Sequence, residues 1–287
     1  MTTPANTPAQ NSPIPTLDLN DGRAIPQLGL GIYAMKGEEG IDAIDAGIDN
    51  GYRLLDTAVN YENESEVGQA IVNNGIPREE LFVTSKIPGR HHGFDEAIAS
   101  TEESLARLGL DYLDLHLIHW PNPSVGKYVD AWRGLIELRE RGLVKSIGVS
   151  NFTEELLTEL VEKTGVTPAV NQVELHPYFP QEKLVAFHRS IGVQTESWSP
   201  LYRDQGLFDE TPITEAAAAH GVTPAQVVLR WHIEIGSIPI PKSANFERQR
   251  SNADVFEFEL TSAEVAAISA LERGRMKGRD PLTHEEM

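Results

Sequence analysis

Four side chains of this sequence are of types that can share a proton. Asp56 ends the short apolar run Leu54-Leu55, Lys86 ends Leu81-Phe82-Val83-Thr84-Ser85, and His119 ends Leu113-Asp114-Leu115-His116-Leu117-Ile118. Tyr61 follows Asp56 by about one helical turn. The three run-ending residues recur roughly every thirty residues, the length of one strand plus one crossover helix. Titratable groups that repeat at strand ends with that period meet on one face of a parallel β/α scaffold.

Together they would make a tuned proton donor. A tyrosine hydroxyl, with a pKa of about 10 in water, donates poorly at neutral pH. A lysine ammonium about 4 Å away stabilises the phenolate by roughly 4 kcal/mol at an effective dielectric of ~20. That is about three pKa units, which would bring Tyr61 down towards neutrality. Asp56 would keep Lys86 charged and oriented, and His119 would place a carbonyl oxygen. Taken singly, each has a plainer reading. Asp56 and Lys86 could form a structural ion pair, Tyr61 a packed aromatic, and His119, beside Trp120-Pro121, a satisfied core histidine. Their coincidence on one face favours catalysis.

No metal site is expected. His116 and His119 lie three apart on a strand and point to opposite faces, and His91-His92 are adjacent in a loop. A glycosidase pair of carboxylates is not excluded by spacing, but Glu174 has no evident partner. Other residues suit a nucleotide cofactor. Ser150, Asn151 and Gln172 lie late on strands and could meet a carboxamide, and Trp198 could stack on a flat ring. Pro239-Ile240-Pro241-Lys242-Ser243 leads to a helix start at Asn245, followed by Arg248, Arg250 and Asn252, a place for a phosphate.

The elements that must carry these groups follow from the pattern. Asn20-Asp21-Gly22 between 16–19 and 24–26 signals a hairpin. Strand-like runs occur at 27–31, 53–56, 81–87, 112–119, 146–150, 169–174, 193–198 and 237–241. Amphipathic stretches at 40–50, 65–72, 94–108, 128–141, 153–164 and 181–190 alternate with them, and further helices are expected at 223–232 and 261–271. Eight β/α repeats predict an α/β protein of the (β/α)8 TIM-barrel type, with an N-terminal hairpin and extra C-terminal helices. An open dinucleotide-binding sheet would need G-x-G-x-x-G, of which Gly29-Leu30-Gly31 is only a fragment. Residues 1–12 read as a disordered tail and 13–287 as one barrel domain.

A net charge of −19 repels nucleic acid and anionic membrane, so neither is an expected partner. The absence of cysteine excludes disulfides and thiolate chemistry. No apolar run is long enough to span a bilayer and no secretory signal is evident, so a cytoplasmic protein is expected.

At these residues the chain resembles the aldo-keto reductases, among them the bacterial 2,5-diketo-D-gluconate reductases. The resemblance runs from near Thr16 to about Arg279. It rests on the stretch 51–64 around Asp56 and Tyr61, on Leu108-Gly109-Leu110-Asp111-Tyr112-Leu113-Asp114, on Ile118-His119-Trp120-Pro121 and on Gly148-Val149-Ser150-Asn151-Phe152. Val170-Asn171-Gln172-Val173-Glu174-Leu175-His176-Pro177, Trp198-Ser199-Pro200-Leu201 and Ile240-Pro241-Lys242-Ser243 add to it. The resemblance implies a (β/α)8 reductase that uses NADPH, without metal or flavin, on aldehydes and ketones such as sugar ketones, dicarbonyls and small aldehydes. It implies Tyr61 as acid, Lys86 and Asp56 as its tuning pair and His119 as carbonyl orienter. Gly31, Ile32, Ser150, Asn151, Gln172 and Trp198 would meet the nicotinamide end, and Ser199 and Leu201 the pyrophosphate. Lys242, Ser243, Arg248 and Asn252 would hold the adenosine 2′-phosphate and adenine, and Tyr33, Pro88 and Trp120 would face a small carbonyl substrate. Pro88 stands where many members carry tryptophan, and Ser251 where the family often has glutamate. A monomer is expected. The alternative is a nicotinamide-binding regulatory or interaction protein on the same barrel.

Overall fold

The structure is a computed structural model that describes residues 13–276 and 278–287. The expected tail, 1–12, lies outside the described residues. The chain opens with a two-stranded antiparallel hairpin, β1 (Thr16–Asp18) and β2 (Ala24–Pro26), turned by Gly22 at φ 81°. Eight parallel strands follow: β3 (Gly29–Gly31), β4 (Leu54–Asp56), β5 (Phe82–Ile87), β6 (Leu113–Ile118), β7 (Val144–Ser150), β8 (Val170–Glu174), β9 (Gln194–Trp198) and β10 (Ser237–Pro239). Each pairs with its sequence neighbours. A parallel bridge between Gly31 and Lys242, with Gly31 N–H donating to Pro241 O at 3.0 Å, joins the first strand to the segment after the last. The sheet thus closes into the expected barrel, and all eight strand expectations correspond to strands.

The helices are α1 (Gly37–Asp49), α2 (Glu64–Asn74), α3 (Phe94–Leu108), α4 (Tyr128–Glu140), α5 (Glu154–Thr164), α6 (Glu182–Ser190), α7 (Thr211–His220), α8 (Pro224–Glu234), α9 (Phe246–Ala253) and α10 (Ser262–Ser269). Strands buried on both faces carry near-continuous apolar runs. The main core, which includes Leu30, Leu55, Val83, Trp132, Ile147 and Leu157, lies between the strands and the inner faces of the helices. Thr153 caps α5 by accepting from Leu156 N–H, and Thr223 and Gln226 form a reciprocal capping box on α8. Helix α7 was not expected. Its core of consecutive alanines, 216–219, has no polar face to set a period. No helix among the described residues is long and apolar enough to cross a membrane.

Candidate active site

The loop after β4 holds Tyr61 by an internal clasp. Asp56 ends the strand, and a 3₁₀ turn at Val59–Tyr61 closes with Tyr61 N–H on Ala58 O at 3.0 Å. Glu62 then takes a left-handed φ of 52°, which stops the turn. Asn63 is fully buried. It accepts from Thr57 Oγ1 at 2.7 Å and donates to the carbonyls of Ile32 and Met35, both at 2.9 Å. Tyr61 is thereby fixed between two loops. Ile32, expected at the nicotinamide, is instead a core residue whose carbonyl anchors this clasp, and it does not reach the cavity.

The Tyr61 ring meets the His119 ring edge-on at 5.7 Å and the Tyr33 ring at 5.1 Å. Lys86 Nζ lies 5.0 Å from the centre of the Tyr61 ring. It donates to Asp56 Oδ1 at 2.6 Å and to Thr57 O at 2.9 Å, with its side chain wholly enclosed. Burial works against the Lys86 charge, but Asp56 and then Tyr61 outweigh it, so its pKa stands above the ordinary value. Tyr61 differs from expectation. Burial pushes its pKa up, Lys86 pulls it down, and Asp56 and Glu286 add to the upward side, so that the net direction is up. The Lys86 pull is present. The hydration a phenolate would lose at this place on the wall outweighs that pull.

A cavity of about 640 Å³ opens in front of Tyr61 and His119 at the strand C-terminal ends. Of the expected residues, Gly31, Tyr33, Asp56, Tyr61, His119, Trp120, Ser150, Asn151, Gln172, Trp198, Ser199, Leu201 and Lys242 line it. Lys86 stands behind the wall. Pro88, expected to face the substrate, is buried and is not among the residues that line the cavity. Ser243, Arg248 and Asn252 are not among the residues that line it: Ser243 precedes α9, Arg248 is in its first turn and Asn252 in its last, and Asn245 Oδ1 caps the helix by accepting from Arg248 N–H at 2.9 Å. Arg248 Nε lies 3.4 Å from Ser243 Oγ.

The polar wall is tightly wired. Trp198 Nε1 donates to Asn151 Oδ1 at 2.8 Å, and Asn151 Nδ2 donates to His119 O and Ser150 Oγ, both at 3.0 Å. Ser150 Oγ donates to Gln172 O at 2.7 Å, and Gln172 Nε2 donates to Asp56 Oδ2 at 2.7 Å. Asn151 adopts a left-handed φ of 65°, a conformation asparagine tolerates better than most residues. Sequence reasoning missed Asn60, Arg203, Arg279 and Glu286, which also line the cavity. Glu286 Oε1 accepts from Asn60 Nδ2 at 2.6 Å and lies 3.1 Å from His119 Nδ1. Its backbone is held by Gly89 and Asn122. Nothing in a short polar C-terminal stretch signals that it folds over a barrel mouth. His116, unlike His119, turns to Thr101 on α3 at 3.2 Å, and burial lowers its pKa to about 3. Glu174 has partners after all, accepting from Met276 N–H at 2.7 Å beside His176.

A model of the aldo/keto reductase family matches residues 27–273. The chain belongs to the aldo/keto reductase family. It is thus an NADPH-dependent oxidoreductase that acts on small carbonyl compounds. This reductase is 64% identical to 2,5-diketo-D-gluconic acid reductase B of Corynebacterium sp. (strain SHS752001) over 96% of its own length and 99% of the relative's. It is 46% identical to methylglyoxal reductase DkgA of Escherichia coli (strain K12), covering 92% and 96% of the two chains. Among solved structures, an aldo-keto reductase of Bombyx mori in complex with NADP superposes with a TM-score of 0.88 at 37% identity, covering 96% and 98% of the chains. The cleft of this reductase fits such a cofactor. Trp198 keeps part of its face open to the cavity, Gln172 turns its amide nitrogen to Asp56 and leaves its oxygen free to accept, exposed Lys242 lies on the rim, and exposed Arg248 follows it in the chain.

Proposed function

We propose that residues 13–287 work as one barrel domain, a cytoplasmic monomer. It reduces the carbonyl groups of sugar ketones, dicarbonyls and small aldehydes to alcohols, with Tyr61 as proton donor. The observation that carries this reading is the pairing of Tyr61 and His119 on the cavity wall, 5.7 Å between rings, with the enclosed Lys86–Asp56 ion pair behind Tyr61. NADPH, when bound, supplies the hydride. Tyr61 gives its proton to the carbonyl oxygen as that oxygen gains charge. Lys86, kept charged by Asp56, stabilises the phenolate left behind. His119 holds the oxygen in place. Ser150, Asn151 and Gln172 suit the carboxamide, Trp198 and Gly31 the nicotinamide, and Ser199 and Leu201 the pyrophosphate. Lys242, Ser243, Arg248 and Asn252 suit the 2′-phosphate and adenine. Tyr33 and Trp120 are placed to flank substrate. Diketogluconic acid and methylglyoxal, after which two relatives are named, each carry two reducible carbonyls, which supports dicarbonyls as a substrate class.

Tyr61→Phe tests the reading. It removes the hydroxyl and keeps the ring, so turnover should fall by roughly 10²–10⁴-fold while NADPH affinity, read by fluorescence titration, stays the same. Near-normal turnover would take Tyr61 out of the mechanism.

A further inference from the structure

Beneath the Asp56–Lys86 pair, β9 brings a second carboxylate into the barrel. Glu196 is fully buried and forms the register partner of Gln172 on β8. Its Oε2 accepts from Gln172 Nε2 at 3.1 Å, and the same nitrogen donates to Asp56 Oδ2 at 2.7 Å. Its Oε1 is buried without a partner among the described residues. A buried carboxylate in that state calls for an explanation.

Two consequences follow from the geometry. An amide nitrogen has two hydrogens, and here two carboxyl groups accept them, Asp56 at 2.7 Å and Glu196 at 3.1 Å, which holds the Gln172 nitrogen inward and leaves its oxygen on the cavity side. The charges are also unequal. Asp56 takes Lys86, and among the described residues Glu196 has no cation of its own. The groups that act on it are Asp56 from β4, Lys86 from β5 and Gln172 from β8, while its register partner on β10 is the apolar Ile238. Burial first, and then Asp56, push its pKa to about 8, against the pull of Gln172 and Lys86. Glu196 therefore carries its proton at neutral pH and becomes a second anion near Lys86 in alkaline solution. That anion favours the Lys86 ammonium.

We propose that Glu196 is a positioning residue for the proton transfer: it locks the orientation of Gln172 and, once ionised, keeps Lys86 charged so that Tyr61 goes on working in alkaline solution. The inference rests on Tyr61 being the acid. Asp56 alone suffices for Lys86 at neutral pH. Glu196 adds its charge from about pH 8 upward, so that it is already in place where the ammonium, with its raised pKa, comes to be at risk, and at neutral pH it adds none to the site.

Glu196→Gln separates the two halves of the idea, because glutamine has the shape of the protonated acid. Between pH 6 and 7, turnover and NADPH affinity should stay within about twofold of the unmutated chain. Between pH 7 and 11 the alkaline limb of the turnover profile should move towards neutrality by about one unit. The Lys86 ionisation itself, followed by NMR in protein with ¹³C-labelled lysine and assigned by the signal lost in Lys86→Met, should fall by a similar amount without NADPH present. Glu196→Leu, which removes one of the two acceptors and leaves the Gln172 amide on Asp56 alone, should weaken NADPH binding about tenfold at every pH by loosening that amide. Lys86 titrating at the same pH with and without Glu196 would overturn the charge role, and unchanged NADPH affinity in Glu196→Leu the orienting role. A shifted Lys86 in a protein whose Tyr61→Phe form still turns over would leave Glu196 with its hold on Lys86 and remove the acid assignment alone.

Discussion

Arg248 is exposed at the first turn of α9, with Ser243 Oγ 3.4 Å from its Nε. A charged hydrogen bond from it to a 2′-phosphate would be worth roughly 1.5–3 kcal/mol, and about 1.4 kcal/mol is tenfold in affinity. Arg248→Ala should therefore weaken NADPH binding about tenfold and leave NADH nearly unaffected, with the loss shrinking as salt screens the contact. Fluorescence titration of both nucleotides decides it, and equal losses for the two would remove Arg248 from the phosphate site. The residues that sequence made visible are those whose chemistry breaks an apolar run. Asp56, Lys86 and His119 stand out because a charge at the end of a hydrophobic strand needs a reason. Glu196 sits inside Gln194–Trp198, a run already broken by polar side chains, and draws no notice there. Asn60 and Glu286 meet across 226 residues, a contact that no local spacing encodes.

At the scale of elements, α2 is wedged against the end of α3. A Cβ on Gly68 would come within 2.1 Å of Leu108 O, so the two helices meet backbone to backbone. Next to this contact the buried Glu64 accepts from Ser85 Oγ at 2.6 Å on β5 and from Arg107 Nε at 2.7 Å on α3. Three elements around Lys86 and Tyr61 are tied at one point. Gly68→Ala should cost about 1–3 kcal/mol by forcing α2 outward, measured as a lower urea midpoint, and an unchanged midpoint would show that α2 has room to move. Most strands were legible because a barrel buries them on both faces and so favours short apolar stretches between helical patterns, even where polar side chains interrupt them as in β8 and β9. Helices with a polar outer face were legible for the complementary reason. Helix α7 was not, since alanine fits either face.

The molecule as a whole should respond to pH with a single optimum. Burial lowers the pKa of His92 and His188 to about 4 and of His116 and His232 to about 3, each from 6.5. Unfolded, these four would take up protons below 6.5 that the folded chain refuses, so stability is lost as pH falls through that value. Glu196 acts in the opposite sense. Folded, it keeps its proton up to about 8 where the unfolded chain releases it near 4.5, so its contribution is lost as pH rises through that window. From 4.5 to 6.5 the four histidines outweigh the one glutamate, and above 6.5 the glutamate acts alone. Urea midpoints at pH 5, 6.5 and 8.5 should be highest at 6.5, and Glu196→Gln should flatten the alkaline side and steepen the acid side, where Glu196 opposes the histidines. A plateau across the three values would mean that these groups are hydrated in the folded state.

The bridge from Gly31 to Lys242 has a consequence for the order of assembly. It pairs residues more than two hundred positions apart, and both also line the cavity. Contacts of that sequence separation require a long loop to be closed first and tend to form late. A chain emerging from the ribosome offers its first barrel strand long before position 242 is made. The cleft is complete only when that join is made, so the bound dinucleotide would act as a clasp across the last gap to close, and nucleotide binding would report that the ring is whole.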